Sequence, residues 1–372
     1  MSKVICTVIN DLHYDQRMHR ICTTLSINGH DVTLVGRVLP SSHILPQQNF
    51  KQKRLKCLIN KGKLFYIEYN IRLLIYLLFN KFDIINAVDL DTLLAGYWAS
   101  RLKRKTCVYD AHEYFQEVPE VVSRPNVKRF WETLAKAIIP KLKYCYTVSP
   151  GLATIFEAKY NVHFSTVMNV PFKSPSPSVD TEGETAGAHI ILYQGALNEG
   201  RCIDILITCI GDILNAELWI AGEGDLSVEL RALAKTSGNE SKIRFLGYVE
   251  PTALKTLTKK AYIGFNLLEN KGLSYYHSLA NKYFDYMHAG LPTVNPDFPE
   301  YRALNKEIET AILIDDVTST DKVAQAINSL IADKTKYQQL RSNCFKAANR
   351  FNWDEESKKL INIYKKASKQ NI

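Results

Sequence analysis

The chain has 372 residues, of which 46% are hydrophobic, and its formal net charge is +9 at pH 7. The apolar fraction excludes a globally disordered chain, and the length fits two domains of roughly 150 to 200 residues each. The positive charge favours anionic partners such as nucleotides, nucleic acid or acidic lipid headgroups, without choosing between them.

The cysteines and the N-terminus indicate the compartment. The eight cysteines are scattered, with no Cys-x-x-Cys pair and no histidine at zinc spacing, so they are expected to be buried apolar residues in a reducing compartment. The sequence SKVICTVIND enters a strand pattern directly and lacks the features of a signal peptide. We therefore expect a cytoplasmic protein.

The first elements form a βαβ unit, with strands at residues 3–9 and 31–35 and a helix at residues 15–28. The loop after the first strand, NDLHY, contains no glycine, which argues against a nicotinamide or flavin site. Further strands are predicted at residues 83–87, 106–110 and 144–148, each followed by helix-forming sequence. The first half of the chain is therefore predicted to be a doubly wound domain.

A basic stretch lies between the second and third of these strands. Residues 51–63 carry six positive charges and no acid, and residues 64–80 form an apolar segment too short to span a bilayer. One interpretation is an interfacial segment lying on anionic lipid, to which a second basic helix at residues 126–144 would contribute. The alternative is a core helix preceded by a solvated basic loop.

Residues 171–187 are rich in Pro, Ser, Thr and Gly without apolar periodicity, as in an interdomain linker. Strand and helix patterns then alternate again, which predicts a second doubly wound domain. Its strands are predicted at residues 189–193, 217–221, 243–245, 263–267, 293–295 and 311–314. The predicted organisation is an N-terminal domain (1–172), a linker (173–187), a C-terminal domain (188–350) and a closing C-terminal helix (351–372).

The stretch at residues 274–292, SYYHSLANKYFDYMHAGLP, is the strongest candidate for a binding site. A polar aromatic loop is predicted first, then a helix that begins near Asn281 and ends at Gly290. Lys282 lies in the first turn, where a cation opposes the helix dipole unless an anion such as phosphate is bound there. The alternative is a solvated lysine on an ordinary amphipathic helix.

Two groups in the first half are further candidates. Asp89 and Asp91 form an Asp-x-Asp pair that could bind a divalent metal, although Asp91 as a helix N-cap is a simpler interpretation. His112 follows a predicted strand beside Asp110 and Glu113, and it is either a catalytic residue or a satisfied structural histidine.

The stretch around Lys282 resembles a donor-site motif of the retaining family 4 glycosyltransferases, in its Ser-Leu-Pro-Asn-Lys-x-Phe-Glu-Tyr-Met-x-Ala-Gly-x-Pro variant. The matching residues are Ser278, Leu279, Asn281, Lys282, Phe284, Tyr286, Met287, Ala289, Gly290 and Pro292. Asp285 stands where the family has the second glutamate of its motif. His277 stands where the family has the first, which is a departure from the pattern.

Other segments carry the same resemblance over nearly the whole chain. Residues 193–207 are similar to a loop whose cations bind the donor diphosphate; Arg201 matches one basic position, whereas Ala196 occupies the other. Residues 220–225 resemble the turn after the next strand, and residues 245–249 resemble the segment whose backbone, near Tyr248, meets the nucleobase. In the first half, YDAHE and TVSPGL are similar to segments that line the cleft near the transferred sugar.

The resemblance implies a GT-B fold, in which two Rossmann-like domains face each other across a cleft. It implies transfer of a sugar, with retention, from a nucleotide sugar to a hydroxyl of a glycan, with a lipid-linked acceptor in cell-surface polysaccharide synthesis. The implied donor-binding residues are Gly195, Arg201, Gly222, Tyr248, Ser278, Asn281, Lys282 and Asp285. The implied catalytic residues are His112, Glu113 and His277.

The same resemblance implies no cofactor and no metal, because two cations and two helix N-termini would neutralise the leaving diphosphate. The expected partners are a nucleotide sugar, the glycan or lipid-linked acceptor and an anionic membrane surface, but not nucleic acid. The expected location is the cytoplasm, peripheral at the inner face of the membrane. Two alternatives stay open: a nucleotide-sugar 2-epimerase, and a catalytically weakened partner subunit suggested by His277 and Ala196.

Overall fold

A computed structural model describes residues 1–173 and 187–369. The chain divides into two compact units, Met1–Asn169 with the C-terminal segment from Glu356, and Val170–Glu355. Of the predicted linker, residues 174–186 lie outside the described residues.

The first unit is built on a seven-stranded parallel sheet with the order β3-β2-β1-β4-β5-β6-β7. Its strands are β1 (Lys3–Thr7), β2 (Asp31–Val38), β3 (Lys51–Lys56), β4 (Ile84–Val88), β5 (Thr106–Ala111), β6 (Tyr144–Thr147) and β7 (Phe164–Thr166). Strand β1, which lies between β2 and β4, aligns Val4 with Val32 of β2 and with Ile84 of β4. This is the doubly wound sheet that the strand and helix patterns predict.

Helices connect these strands on both faces of the sheet. They are α1 (Gln16–Ile27), α2 (Gly62–Phe79), α3 (Asp89–Lys103), α4 (Pro119–Val122), α5 (Pro125–Ile138) and α6 (Pro150–Tyr160). The side chain of Asp15 caps α1 by accepting from Met18 N. Helix α2 buries Phe65, Tyr69, Leu73 and Leu77 in the core of the unit, and this four-residue spacing leaves its opposite face outward.

Two predictions for the first unit are wrong in detail. Residues 51–56 form the edge strand β3, paired in parallel with β2, and not a solvated loop. Its Lys and Arg side chains hide this strand from a hydrophobic pattern, and such residues protect a sheet edge from pairing with other chains. The predicted basic helix at residues 126–144 ends at Ile138, because Pro140 cannot continue it.

The second unit contains a six-stranded parallel sheet with the order β10-β9-β8-β11-β12-β13. Its strands are β8 (His189–Gln194), β9 (Ala216–Ala221), β10 (Ile243–Gly247), β11 (Ile263–Phe265), β12 (Thr293–Pro296) and β13 (Ala311–Ile314). The helices are α7 (Ile203–Cys209), α8 (Ser227–Thr236), α9 (Pro251–Lys260), α10 (Leu273–Tyr276), α11 (Asn281–His288), α12 (Pro299–Glu307), α13 (Thr320–Ala332), α14 (Lys334–Ala348) and α15 (Trp353–Lys369). Most of α15 belongs to the first unit.

Helix α11 begins at Asn281 as predicted and is followed by Gly290, whose φ of 69° terminates it. The predicted loop before it contains the short helix α10 instead, because Gly272, with φ of 101°, turns the chain into a helical turn. The eight cysteines are free, and all except the half-buried Cys57 are buried. Among the described residues, every helix is too short or too polar to cross a membrane.

Candidate functional site

In the second unit, the turns after β8 and β9 are pressed together. A Cβ atom on Gly222 would lie 1.9 Å from the backbone oxygen of Gly195, so only glycine fits at position 222. Backbone bonds hold the turns in place, since Gly195 N donates to Ala221 O and Gly222 N donates to Gly247 O. The close approach positions Gly195 beside the end of the Lys282 side chain.

Lys282 is buried in the first turn of α11. Its Nζ lies 3.8 Å from the centre of the Tyr193 ring and has no hydrogen-bond partner among the described residues. Burial first, and the charge of Arg201 second, lower the pKa of Lys282 well below its usual value. A buried ammonium group without a counter-ion is unfavourable unless a ligand provides the negative charge. The solvated lysine considered from the sequence is therefore wrong.

Tyr193 was not identified from the sequence as a site residue. It is fully buried, and its hydroxyl donates to the Ala196 carbonyl oxygen at 2.6 Å, which fixes the ring beneath Lys282. Its sequence signals were its place at the end of a predicted strand, directly before the Gln-Gly of the turn, and its position at the start of the segment 193–207.

Arg201 precedes α7, and its guanidinium lies 5.0 Å from the centre of the Tyr275 ring. Its Nε is buried and has no partner among the described residues. Arg201 and Lys282 influence each other electrostatically, as the lowered pKa of Lys282 shows. Two cations for which the described part of the chain supplies no ion-pair partner form a site suited to a diphosphate.

A cavity of about 320 Å³ beside Arg201 is lined by Lys271 but not by Lys282. Its lining also includes the acidic residues Glu199, Asp204, Glu229 and Glu269. Because these carboxylates repel phosphate, we place the anion site at Lys282 and not in this acidic cavity.

The exposed face of α11 carries Asn281 and Asp285, four residues apart as predicted. The Asp285 carboxylate accepts a hydrogen bond of 3.3 Å from Gln194 Nε2, whose own oxygen accepts from Thr258. Gln194 N also donates to the hydroxyl of Tyr286. The series of hydrogen bonds from Thr258 through Gln194 to Asp285 positions an exposed carboxylate at the end of β8.

His277 follows α10, and its Nδ1 lies 3.8 Å from Oε1 of Glu300, a buried residue at the start of α12. Burial lowers the pKa of His277. Ser278 Oγ donates to the Tyr275 carbonyl oxygen at 2.8 Å, which stabilises the turn into α11. Sequence reasoning found His277 and missed Glu300, because the two lie on different elements.

Tyr248 follows β10 and is about half exposed, at 54%. It lies directly after Gly247, whose carbonyl oxygen binds Gly222 N at 2.8 Å. The structure therefore brings the turns after β8, β9 and β10 together at the carboxyl end of the sheet, where open α/β sheets bind ligands.

In the first unit, Arg17 and Asp110 form a buried ion pair, with Arg17 Nη2 to Asp110 Oδ1 at 2.6 Å. Tyr146 donates to the same carboxylate at 2.9 Å, and Asn86 donates to the Tyr146 hydroxyl. This network lies under the carboxyl ends of β4, β5 and β6 and fixes the backbone from which His112 projects.

His112 and Glu113 are held by Asp89, whose Oδ1 accepts from both backbone N–H groups, at 2.9 and 3.3 Å. The His112 Nδ1 lies 3.8 Å from Asp89 Oδ2. Desolvation, then the charge of Arg17, lowers the pKa of His112, which keeps its ring neutral near pH 7. A cavity of about 180 Å³ is lined by His112, Asp89, Asp91 and Arg17 among others.

Asp91 is not the N-cap that the sequence suggested. Helix α3 begins at Asp89, so Asp91 lies inside its first turn, and Asp89 itself has φ of 54°. Burial, then Glu113, raises the pKa of Asp91 to about 8. Within residues 1–173 and 187–369, no group of three or more His, Cys, Asp or Glu side chains is arranged to hold a metal ion.

Two family models match the chain in succession. Residues 16–171 match the model described as Glycosyltransferase Family 4, and residues 188–333 match the one described as Glycosyl transferases group 1. The chain belongs to the family 4 glycosyltransferases. An uncharacterised glycosyltransferase of Methanocaldococcus jannaschii is 28% identical over 182 residues, which are 47% of this chain and 44% of that protein. The alignment thus spans less than half the length of this relative.

Solved structures agree on the fold. Sucrose-phosphate synthase from Thermosynechococcus elongatus has a TM-score of 0.81 at 16% identity, covering 98% of this chain and 99% of the other. The Anabaena protein HepE, solved with UDP and glucose, has a TM-score of 0.79 at 15% identity, covering 98% and 100%. WaaG, a glycosyltransferase involved in lipopolysaccharide biosynthesis, has a TM-score of 0.69 at 14% identity, covering 93% and 95%. These similarities establish the GT-B fold of this glycosyltransferase.

Proposed function

We propose that this family 4 glycosyltransferase transfers a sugar from a nucleotide-sugar donor to a hydroxyl of a lipid-linked glycan, with retention and without a metal. The observation that carries the proposal is the pair of cations at Lys282 and Arg201. Both are held by aromatic rings, and the buried nitrogens Lys282 Nζ and Arg201 Nε lack a partner among the described residues. A nucleoside diphosphate is a leaving group with the charge to fill that site.

The surrounding residues suit the other parts of such a donor. Asp285 offers carboxylate oxygens as acceptors for ribose hydroxyls, while Gln194 orients it. Tyr248, at the turn after β10, would lie against the nucleobase. His277, Ser278 and Glu300 would hold hydroxyls of the transferred sugar, with Glu300 supplying a carboxylate near the position where the motif lacks its first glutamate.

Retention would proceed by attack and departure on the same face of the sugar. The bond from the anomeric carbon to the diphosphate oxygen breaks, the acceptor oxygen forms the new bond, and the released phosphate oxygen takes the acceptor proton. Lys282 and Arg201 would stabilise the developing negative charge on that phosphate. In the first unit, His112 and Glu113 would bind hydroxyls on the acceptor side.

The lipid-linked acceptor and a peripheral location at the inner face of a membrane form part of this proposal. Net positive charge supports attraction to an anionic leaflet. A role in cell-surface polysaccharide synthesis is supported by the fold shared with WaaG, which takes part in lipopolysaccharide biosynthesis.

The test is a panel of nucleotide sugars, beginning with UDP-glucose because HepE was solved with it. Thermal shifts would identify the donor, and that donor would then be incubated with and without a glycan acceptor. A transferase releases nucleoside diphosphate and free or transferred sugar, whereas a 2-epimerase equilibrates the sugar before any release. If no nucleotide sugar raises the melting temperature, the chain is a partner subunit and the proposal is wrong.

A further inference from the structure

The outward face of α2 is apolar along its whole length. Its exposed side chains have relative exposures between 51% and 86%, and they lie on one side of the helix. They are Leu64, Ile67, Ile71, Ile75 and Phe79. At 1.5 Å per residue this stripe is about 22 Å long. The opposite face of α2 packs in the core, whereas the stripe leaves more than half of each of its side chains exposed.

Helix α3 extends the apolar face. Asn70 donates to Asp91 O at 2.8 Å, and Lys103 Nζ donates to Asn80 O at 2.6 Å, so the two helices run side by side. Trp98 and Leu102 are 50% and 64% exposed and lie at helical spacing from Ala95, which packs in the core shared with α2. The stripe of α2 and these two side chains form one surface, which we call the α2–α3 face.

Exposed cations surround this face. Lys61 and Lys63 lie at the start of α2, Lys81 follows its end, and Arg101 and Arg104 lie at the end of α3. Two acids of this region are in ion pairs, Glu68 with Arg72 at 2.7 Å and Asp83 with Lys105 at 2.8 Å. Asp91 is buried at the opposite end of α3. The α2–α3 face therefore combines exposed apolar residues with a positive rim.

We infer that the α2–α3 face lies on an anionic lipid surface, with its apolar side chains at the level of the headgroups and its rim cations on the lipid phosphates. A second copy of this chain is a poorer occupant, because a symmetric contact would place like-charged rims against each other. This inference deepens the proposed function by giving the lipid-linked acceptor a docking surface. It also places the contact on α2 and α3, and not on the basic residues of β3, which form a sheet edge.

Vesicle flotation tests the inference on the full chain. Wild-type protein should float at low salt with vesicles containing phosphatidylglycerol, and at least tenfold less with pure phosphatidylcholine. The variant I67S/I71S/I75S should lose vesicle binding at least tenfold. The matched control L214S/V228S removes two exposed apolar side chains from the second unit and should bind as wild type does.

A second pair of variants removes the same number of positive charges from two different surfaces. Replacing Lys61, Lys63, Arg101 and Arg104 with Gln should weaken binding at least tenfold, whereas the same change at Lys51, Lys53, Arg54 and Lys56 of β3 should have less than a threefold effect. If both variants lose vesicle binding equally, the attraction depends on the overall positive charge, and the assignment to the α2–α3 face is wrong. Absence of wild-type flotation would overturn the inference as well.

Two further measurements distinguish lipid contact from self-association and from donor binding. Light scattering after size exclusion should show a monomer; a dimer that I67S/I71S/I75S dissociates would assign the face to a second copy instead. Nucleotide-sugar thermal shifts should be the same in all these variants, because the substituted residues lie outside the donor site. If vesicles bind and no nucleotide sugar does, the proposed function fails while the lipid surface stands.

Discussion

Lys282 Nζ lies 3.8 Å above the ring of Tyr193, and this aromatic face contacts a buried nitrogen that has no hydrogen-bond partner among the described residues. A cation over an aromatic ring is stabilised by roughly 1 to 2 kcal/mol, which does not offset complete loss of its hydration. The site is therefore prepared for a negatively charged ligand, and the predictions for the donor follow from this pair.

Lys282→Ala and Arg201→Ala are each expected to weaken binding of nucleoside diphosphate at least tenfold. Each side chain supplies a charge-assisted hydrogen bond of about 1.5 to 3 kcal/mol. Calorimetric titration with diphosphate and with free nucleoside measures the effect, and the nucleoside should be nearly unaffected. Arg244→Ala, which removes an exposed cation paired with Glu217, is the control. Equal losses for both ligands would mean that the residues support the fold only.

Diphosphate binding is expected to take up a proton at Lys282. The groups that influence the Lys282 ammonium are Tyr193, Arg201 and Cys202. Burial and, second, the charge of Arg201 lower the pKa of Lys282. A bound anion raises the pKa of Lys282 again. The affinity for diphosphate is therefore highest at pH values below the pKa of Lys282 in the ligand-free protein. It falls as the pH rises from there to the higher pKa of Lys282 in the complex.

The measurement is titration calorimetry at several pH values from neutral upward, each in buffers of different ionisation enthalpy. The observed enthalpy should change with buffer in the direction of proton uptake, and Lys282→Met should abolish the change. A wild-type enthalpy that is independent of the buffer would contradict this prediction.

Gly222→Ala is expected to destabilise the second unit and to weaken nucleotide binding. The new Cβ would meet Gly195 O at 1.9 Å, and a clash with backbone cannot be relieved by rotating a side chain. Gly238→Ala is the matched control, because Gly238 also has positive φ, of 76°, but has open space around its Cβ position. Thermal unfolding should show a loss larger than in the control by about 1 to 3 kcal/mol. Equal losses would mean that backbone strain alone matters at position 222.

Glycosyl transfer is expected to survive a chelator, since in the proposed mechanism Lys282 and Arg201 neutralise the leaving diphosphate. Activity measured with excess EDTA should stay within about twofold of the untreated rate, given that the diphosphate needs no further cation. Complete loss that manganese restores would instead assign the metal to Asp89 and Asp91 and would refute the proposed mechanism.

The sequence by itself was sufficient for two parallel sheets, apart from the edge strands β3 and β7 of the first, and for α11. Strands such as β4 and β8 are apolar runs followed by amphipathic helices, and these local patterns report which face of each element is buried. The position of Lys282 in a first turn also follows from local signals, because Gly290 and Pro292 end the helix. Membership of the glycosyltransferase family followed from the same stretch.

Contacts between distant segments were decided only by the tertiary structure. Tyr193 beneath Lys282, Glu300 beside His277 and the glycine contact at Gly222 each join elements far apart in the chain. Strand β3 was missed because it is an edge strand with no fully buried residue, so its sequence carries no apolar pattern. The outward stripe of α2 was equally undetermined, since a helix with apolar residues on opposite sides does not indicate which side the sheet will cover. Periodicity records burial along one segment, whereas strand order and packing determine which side chains meet.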